Sequence, residues 1–257
     1  MTGLDERLAA AAFAAAVREP IIERLKPLVR CLATETQGNP VEAWGSAVSV
    51  EIHGVPLLLT AKHVLDRLDG RTLLLEAPTD FHAIDLTAPV SREAWDLACI
   101  RLPDSAKAWG IPFVDLSAQE SPSLLQDDIE VFAGFGFPVR YTQPNPGRER
   151  LELKVINYWS FAAPELHDSL GWSPIDRLIT RFARTRAYRN GRLEAMRLPH
   201  GMSGGPIWRF WGPDDQPPTL DRCALAGILL EYREGKAGCL IAAPIHRALD
   251  LAAVAAA

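Results

Sequence analysis

Apolar residues recur along this chain with two different periods. Helix-forming side chains dominate the first 34 residues, and Leu25, Leu28, Val29 and Leu32 fall three or four places apart, as on one helical face. The pattern predicts helix over residues 4–34, interrupted at Pro20 and Pro27, with Pro20 opening a second helical piece. From Ala43 the period shortens. Runs at 47–52 and 55–60 flank the turn His53-Gly54, and others follow at 72–76, 81–86 and 97–102. A polar stretch at 117–128 precedes a second series at 129–134, 151–156, 178–188, 193–198, 207–210, 224–232 and 239–243. Asn190-Gly191 is the strongest hairpin signal, because both residues tolerate the positive φ of a tight turn. Residues 245–256, rich in Ala and Leu, read as helix. Many short strands split by a polar linker predict an all-β molecule of two β-barrels in tandem, with helices at its ends.

Composition narrows the class of protein. The 257 residues suffice for one or two domains with a sizeable core, and 48% hydrophobic with 23% charged content is that of a soluble globular chain. A formal net charge of −5 supplies no general basic field for nucleic acid or acidic lipid. No apolar run is long enough to span a membrane. Cys31, Cys99, Cys223 and Cys239 are scattered and lack metal-binding spacing, so buried free thiols are expected, with a Cys223–Cys239 bridge as the alternative. The Ala-rich run 8–17 follows Asp5, Glu6 and a single Arg7, which is not the basic start of a secretory leader. A cytoplasmic setting is expected.

Three local patterns carry chemistry. They are Thr60-Ala61-Lys62-His63-Val64 after an apolar strand, Trp95-Asp96-Leu97-Ala98 opening another, and Gly201-Met202-Ser203-Gly204-Gly205-Pro206. A hydroxyl is a weak nucleophile at neutral pH and needs a hydrogen-bonded base, which in turn needs an orienting anion. Histidine supplies the base, and a carboxylate fixes its tautomer. Glycines allow backbone N–H groups to converge on a developing oxyanion. Each pattern alone has an ordinary structural reading, as a strand end, a turn or an anion-binding loop. Their joint occurrence in the order His, Asp, Ser favours catalysis.

With these motifs the chain resembles the trypsin/chymotrypsin-like serine peptidases, in particular their bacterial, HtrA-like branch. Gly134-Phe135-Gly136-Phe137-Pro138 and Ala226-Gly227-Ile228 add to the resemblance, which covers residues 43–250. It implies an all-β, chymotrypsin-like fold of two six-stranded antiparallel β-barrels with an N-terminal helical extension and a C-terminal helix. The extension would occupy residues 1–35, the first barrel 36–122 with His63 and Asp96, and the second 123–257 with Ser203 and the C-terminal helix. It also implies roles: Ser203 as nucleophile, His63 as general base and acid, Asp96 as orienting carboxylate. The N–H groups of Gly201 and Ser203 would form the oxyanion hole, and Ile228, Leu229 and Leu230 the strand that pairs with substrate.

Two departures from that family stand out. Met202 replaces the aspartate that receives a freed N-terminus in zymogen-activated members, and the extracellular disulfide pairs are missing. Control by zymogen cleavage is therefore not expected. Arg197, six residues before Ser203, takes the position that floors the specificity pocket in many members, and His200 lies nearer the motif. An inward Arg197 would select an acidic residue before the scissile bond, whereas an outward one would leave an uncharged pocket lined by Ile228 to Leu230. The basic series Arg177, Arg181, Arg184, Arg186, Arg189, Arg192 and Arg197 alternates with apolar residues, as on solvated strand faces, rather than forming a nucleic-acid surface. Trp208, Phe210 and Trp211 read as hairpin packing.

The resulting expectation is a serine endopeptidase acting on protein or peptide substrates through an acyl-enzyme. No metal or organic cofactor is implied. A regulatory protein is a further candidate partner, a membrane is not, and nucleic acid is disfavoured. Two alternatives stay open. One is a latent or non-catalytic peptidase-fold module that binds a partner and needs activation in trans. The other is an esterase-like hydrolase, against which the lack of a strand-to-helix nucleophile elbow argues.

Overall fold

Alternating apolar runs close into two curled, largely antiparallel sheets, each a half-barrel. The structure, a computed structural model, describes residues 20–36, 39–117, 128–139, 153–182, 187–189, 192–194, 198–213, 219–235 and 238–257. A helix at residues 20–25 (α1) leads through a short turn to β1 (Val29–Thr36). The first sheet continues with β2 (Asn39–Ile52), β3 (Val55–Ala61), β4 (Thr72–Glu76), β5 (Phe81–Ile84), β6 (Val90–Arg92) and β7 (Leu97–Arg101). Its order is β5-β4-β1-β2-β3-β7-β6, and a two-residue β8 (Val114–Asp115) pairs parallel to β2. This sheet thus has eight strands rather than six. His53 and Gly54, with φ of 49° and 77°, close the β2–β3 hairpin as its sequence suggests.

The helical reading of residues 29–34 is corrected. Pro27 ends the helix, and Val29 to Thr34 are all buried in a strand that pairs with β2 on one edge and β4 on the other. A helix would bury one stripe, whereas a central strand buries both faces, and that gain overrides local propensity. β1 therefore crosses the expected boundary at residue 35. Residues 1–19 lie outside the described chain.

The second sheet is built from β9 (Asp128–Gly136), β10 (Ile156–Ser160), β11 (Leu178–Arg181), β14 (Pro206–Pro213), β15 (Cys223–Arg233) and β16 (Cys239–Pro244). Its order is β10-β9-β14-β15-β16-β11. Of the strand expected at 151–156, residues 151 and 152 lie outside the described chain, 153–155 are not in a strand, and β10 begins at Ile156, paired with Gly136 of β9. The long run at 178–188 divides into β11 and β12 (Ala187–Arg189), the latter paired with β13 (Arg192–Glu194). Asn190-Gly191 lies outside the described residues, between two strands in the hairpin register it predicts.

Two short helices, α2 (Lys62–Asp66) and α3 (Leu166–Leu170), and a longer α4 (Ile245–Ala256) complete the fold. α4 packs on β3, β6 and β7 of the first sheet and on β15 and β16 of the second. The main apolar core is continuous across the molecule, from Leu57 and Leu59 through Phe135, Phe210 and Ile228 to Leu251. Trp208 and Phe210 are buried in it, as packing residues. All four cysteines are free, and Cys223 is half-buried where a buried thiol was expected. Burial pushes the Cys99 and Cys223 thiols up to about 12, so both stay protonated at neutral pH.

Candidate active site

β3 ends at Ala61, and the chain turns directly into α2, which places His63 in its first turn. Asp96 stands opposite, between a short turn at Glu93–Trp95 and β7. Its backbone is left-handed, with φ 52°, a conformation that Asp tolerates better than most side chains. That twist aims both carboxylate oxygens at His63. Asp96 Oδ1 accepts the His63 backbone N–H at 3.0 Å, and Oδ2 lies 2.7 Å from Nδ1. An ionised carboxylate only accepts, so Nδ1 carries the proton and Nε2 is left to act as acceptor. The Lys62 N–H donates to the Asp96 carbonyl at 2.9 Å, which ties the two backbones together.

Both flanks of this pair are braced. Lys62 Nζ contacts Asp66 at 2.6 Å and Glu93 at 2.8 Å, joining α2 to the Asp96 turn, and these carboxylates raise the lysine pKa. On the other side, the Arg247 guanidinium from α4 stacks over Trp95 at 4.8 Å and pairs with Asp176 at 2.9 Å. Arg177 donates to the Ala94 carbonyl at 3.1 Å. Residues of the second half thus grip the turn that presents Asp96.

Ser203 lies in the loop before β14. Gly201 and Gly204, with φ of 91° and 89°, give this loop a shape that L side chains rarely adopt. A Cβ on Gly204 would lie 2.0 Å from the Ser46 carbonyl oxygen, and one on Gly205 2.0 Å from that of Phe135. Met202 anchors the loop, fully buried among Phe132, Tyr158, Phe182 and Ile207, where Gly136 leaves room for its Cβ. Ser46 does the rest. Its N–H donates to the Ser203 carbonyl at 2.9 Å, and its hydroxyl donates to the Gly201 carbonyl at 2.9 Å while accepting the Phe137 N–H at 2.8 Å. Gly45 separates Val64, the neighbour of His63, from the Ser203 carbonyl, so the two motifs meet there. The N–H groups of Gly201 and Ser203 have no hydrogen-bond partner among the described residues. The Ser203 hydroxyl donates to the Leu230 carbonyl at 2.8 Å.

Of the remaining expected site residues, His200 faces Tyr232, whose hydroxyl is 2.7 Å from Nε2. The side chains of Ile228, Leu229 and Leu230 are buried in the core. Arg197 lies outside the described residues. Ser46, Tyr232, Arg247 and the Leu230 carbonyl carry no local sequence signal for the site, since each acts through a partner remote in the chain. Among the described residues no cluster of three or more His, Cys, Asp or Glu side chains is arranged to hold a metal ion. No described helix is long and apolar enough to cross a membrane.

No protein-family profile matches the sequence, and no curated protein matches it. Solved structures do resemble it in fold. A serine endoprotease from Yersinia pestis superposes with a TM-score of 0.50 at 18% identity, over 89% of this chain and 62% of its own. The present chain therefore spans less than two thirds of that protein. The active form of a protease from M. tuberculosis superposes with a TM-score of 0.50 at 15% identity, over 93% of this chain and 85% of its own. The fold is that of the chymotrypsin-like serine proteases.

Proposed function

We propose that the protein is a serine endopeptidase with Ser203 as nucleophile, His63 as general base and acid, and Asp96 as orienting carboxylate. The observation that carries this reading is the two-point contact of Asp96 with His63, at 3.0 and 2.7 Å, beside a serine loop with two N–H groups that have no partner among the described residues. In the reaction, Ser203 Oγ attacks the scissile carbonyl carbon while its proton passes to His63 Nε2. The Gly201 and Ser203 N–H groups stabilise the resulting oxyanion. His63 then protonates the leaving amine, the C–N bond breaks, and an acyl-enzyme remains. Water, deprotonated by His63, hydrolyses the ester and restores Ser203.

A second reading rests on a different contact. The Ser203 hydroxyl is bonded to the Leu230 carbonyl, an arrangement that a latent module awaiting a partner would also show. A fluorophosphonate probe separates the two. Covalent labelling of the isolated protein, lost in Ser203→Ala, together with cleavage of a peptide library, is the outcome expected of the peptidase. No labelling of the wild-type chain at any pH between 6 and 9 would favour the latent module.

A further inference from the structure

On one edge of β15, Leu229 still bonds the serine loop, through Gly204 N–H at 2.7 Å and the Gly205 carbonyl at 2.8 Å, and beyond it no strand pairs with this edge among the described residues. Glu231, Tyr232 and Arg233 pair with Ile241, Leu240 and Cys239 of β16, but the ladder with β14 stops at Ile228 opposite Pro206. The open edge begins beside Ser203, whose hydroxyl meets the Leu230 carbonyl. Both neighbours of β15 run antiparallel to it. A peptide that adds to this edge in the same sense has its N-terminal residues toward Arg233 and its scissile bond at Ser203. Three residues of strand, from Leu230 to Arg233, span about 10 Å.

At the far end of that edge two cations lie over one indole. The Arg233 guanidinium lies 5.0 Å from the ring centre of Trp172, and that of Arg177 lies 5.3 Å from the same ring. Trp172 is half-buried in the turn after α3, and its backbone N–H donates to the His167 carbonyl at 3.1 Å. Among the described residues Arg177 donates only to carbonyl oxygens, of Asp176 at 2.8 Å and Ala94 at 3.1 Å. The Asp176 carboxylate is already committed to Arg247. Arg233 shares Glu231 at 3.3 Å, both side chains being nearly half exposed, and such a pair is readily exchanged for another carboxylate. Among the described residues, the two guanidiniums over Trp172 therefore share one competing carboxylate, that of Glu231. A guanidinium has five N–H donors, so beyond these bonds each arginine keeps N–H groups that can meet a planar anion.

We infer that Trp172, Arg177 and Arg233 form a binding site for an acidic side chain located three or four residues before the scissile bond. The inference rests on the peptidase reading and supplies the substrate class for it: peptides with Glu or Asp at that distance from the cleaved bond.

The test uses fluorogenic peptides that differ only at the third or fourth residue before the cleaved bond, where Glu, Gln or Lys is placed. Glu peptides should be cleaved with kcat/KM about fivefold above Gln peptides at low ionic strength, the preference shrinking as NaCl is added. The double variant Arg177→Gln/Arg233→Gln should abolish the preference, with circular dichroism confirming that it folds. Arg233→Glu should turn it toward Lys, and Glu231→Gln should increase it by removing the competitor. Because each value is a ratio between two peptides on one enzyme, a general loss of activity does not imitate the effect. Equal cleavage of Glu and Gln peptides, or a preference that survives the double variant, overturns the acid site while Ser203-dependent cleavage upholds the peptidase. Absence of any Ser203-dependent cleavage overturns both.

Discussion

The two halves of the candidate site differ in how completely they are assembled. On the first sheet, His63 and Asp96 are joined by side chain and backbone, braced by Lys62 from one flank and by Arg177 and Arg247 from the other. On the second, the Ser203 loop is shaped by two left-handed glycines and anchored by Met202 and Ser46, yet its hydroxyl is bonded to Leu230. Folding thus completes the parts that need many residues to agree. No hydrogen bond joins Ser203 to His63 among the described residues, and the hydroxyl of an unbranched side chain can change partner by rotation without disturbing the backbone. In the proposed reaction a substrate strand arriving at the β15 edge would compete for the Leu230 carbonyl and release the hydroxyl.

Substitutions can break this contrast at graded cost. Ser203→Ala should remove fluorophosphonate labelling and lower kcat by about 10^4 to 10^6, leaving stability in denaturant titration unchanged. Asp96→Asn should lower kcat by about 10^4, since an amide facing Nδ1 favours the wrong tautomer; KM, measured in the same assays, should hold. Gly204→Ala strikes at assembly, because its Cβ would overlap the Ser46 carbonyl at 2.0 Å in a left-handed residue. Its unfolding free energy should fall by about 3 kcal/mol or more, and a stability within 0.5 kcal/mol (roughly the spread of neutral surface changes) would contradict the loop geometry. Met202→Ala should cost about 2–5 kcal/mol and slow labelling in parallel, as the loop loses its anchor. Arg247→Gln is expected to act most gently, reducing kcat about fivefold through the loosened Asp96 turn, with KM unchanged in steady-state kinetics.

Much of the second half was legible in the sequence because its strands alternate and are punctuated by Gly and Pro. β14, β15, β16 and α4 fall where the apolar runs place them. β1 was not, since Leu25, Leu28, Val29 and Leu32 satisfy helical spacing equally well, and only the partners on both edges make a strand of residues 29–36. The His63, Asp96 and Ser203 motifs were legible because each needs particular residue types in a fixed local frame. Ser46 was invisible for the opposite reason. It is one small residue in a strand, and its three bonds reach Gly201, Phe137 and Ser203 across the molecule.

By itself, the sequence determined the candidate nucleophile, base and carboxylate and the order in which they come, since these are residue identities and glycine-rich turns are local conformations. It also settled that Met202, not an acid, precedes the serine. Only the tertiary structure decided how these groups meet. The left-handed turn at Asp96, the Leu230 carbonyl that holds Ser203, and the two arginines over Trp172 depend on contacts between segments far apart in the chain. Backbone carbonyls and open sheet edges are the same atoms in every residue, so no local pattern can mark them. Their chemistry exists only once the sheets have closed around them.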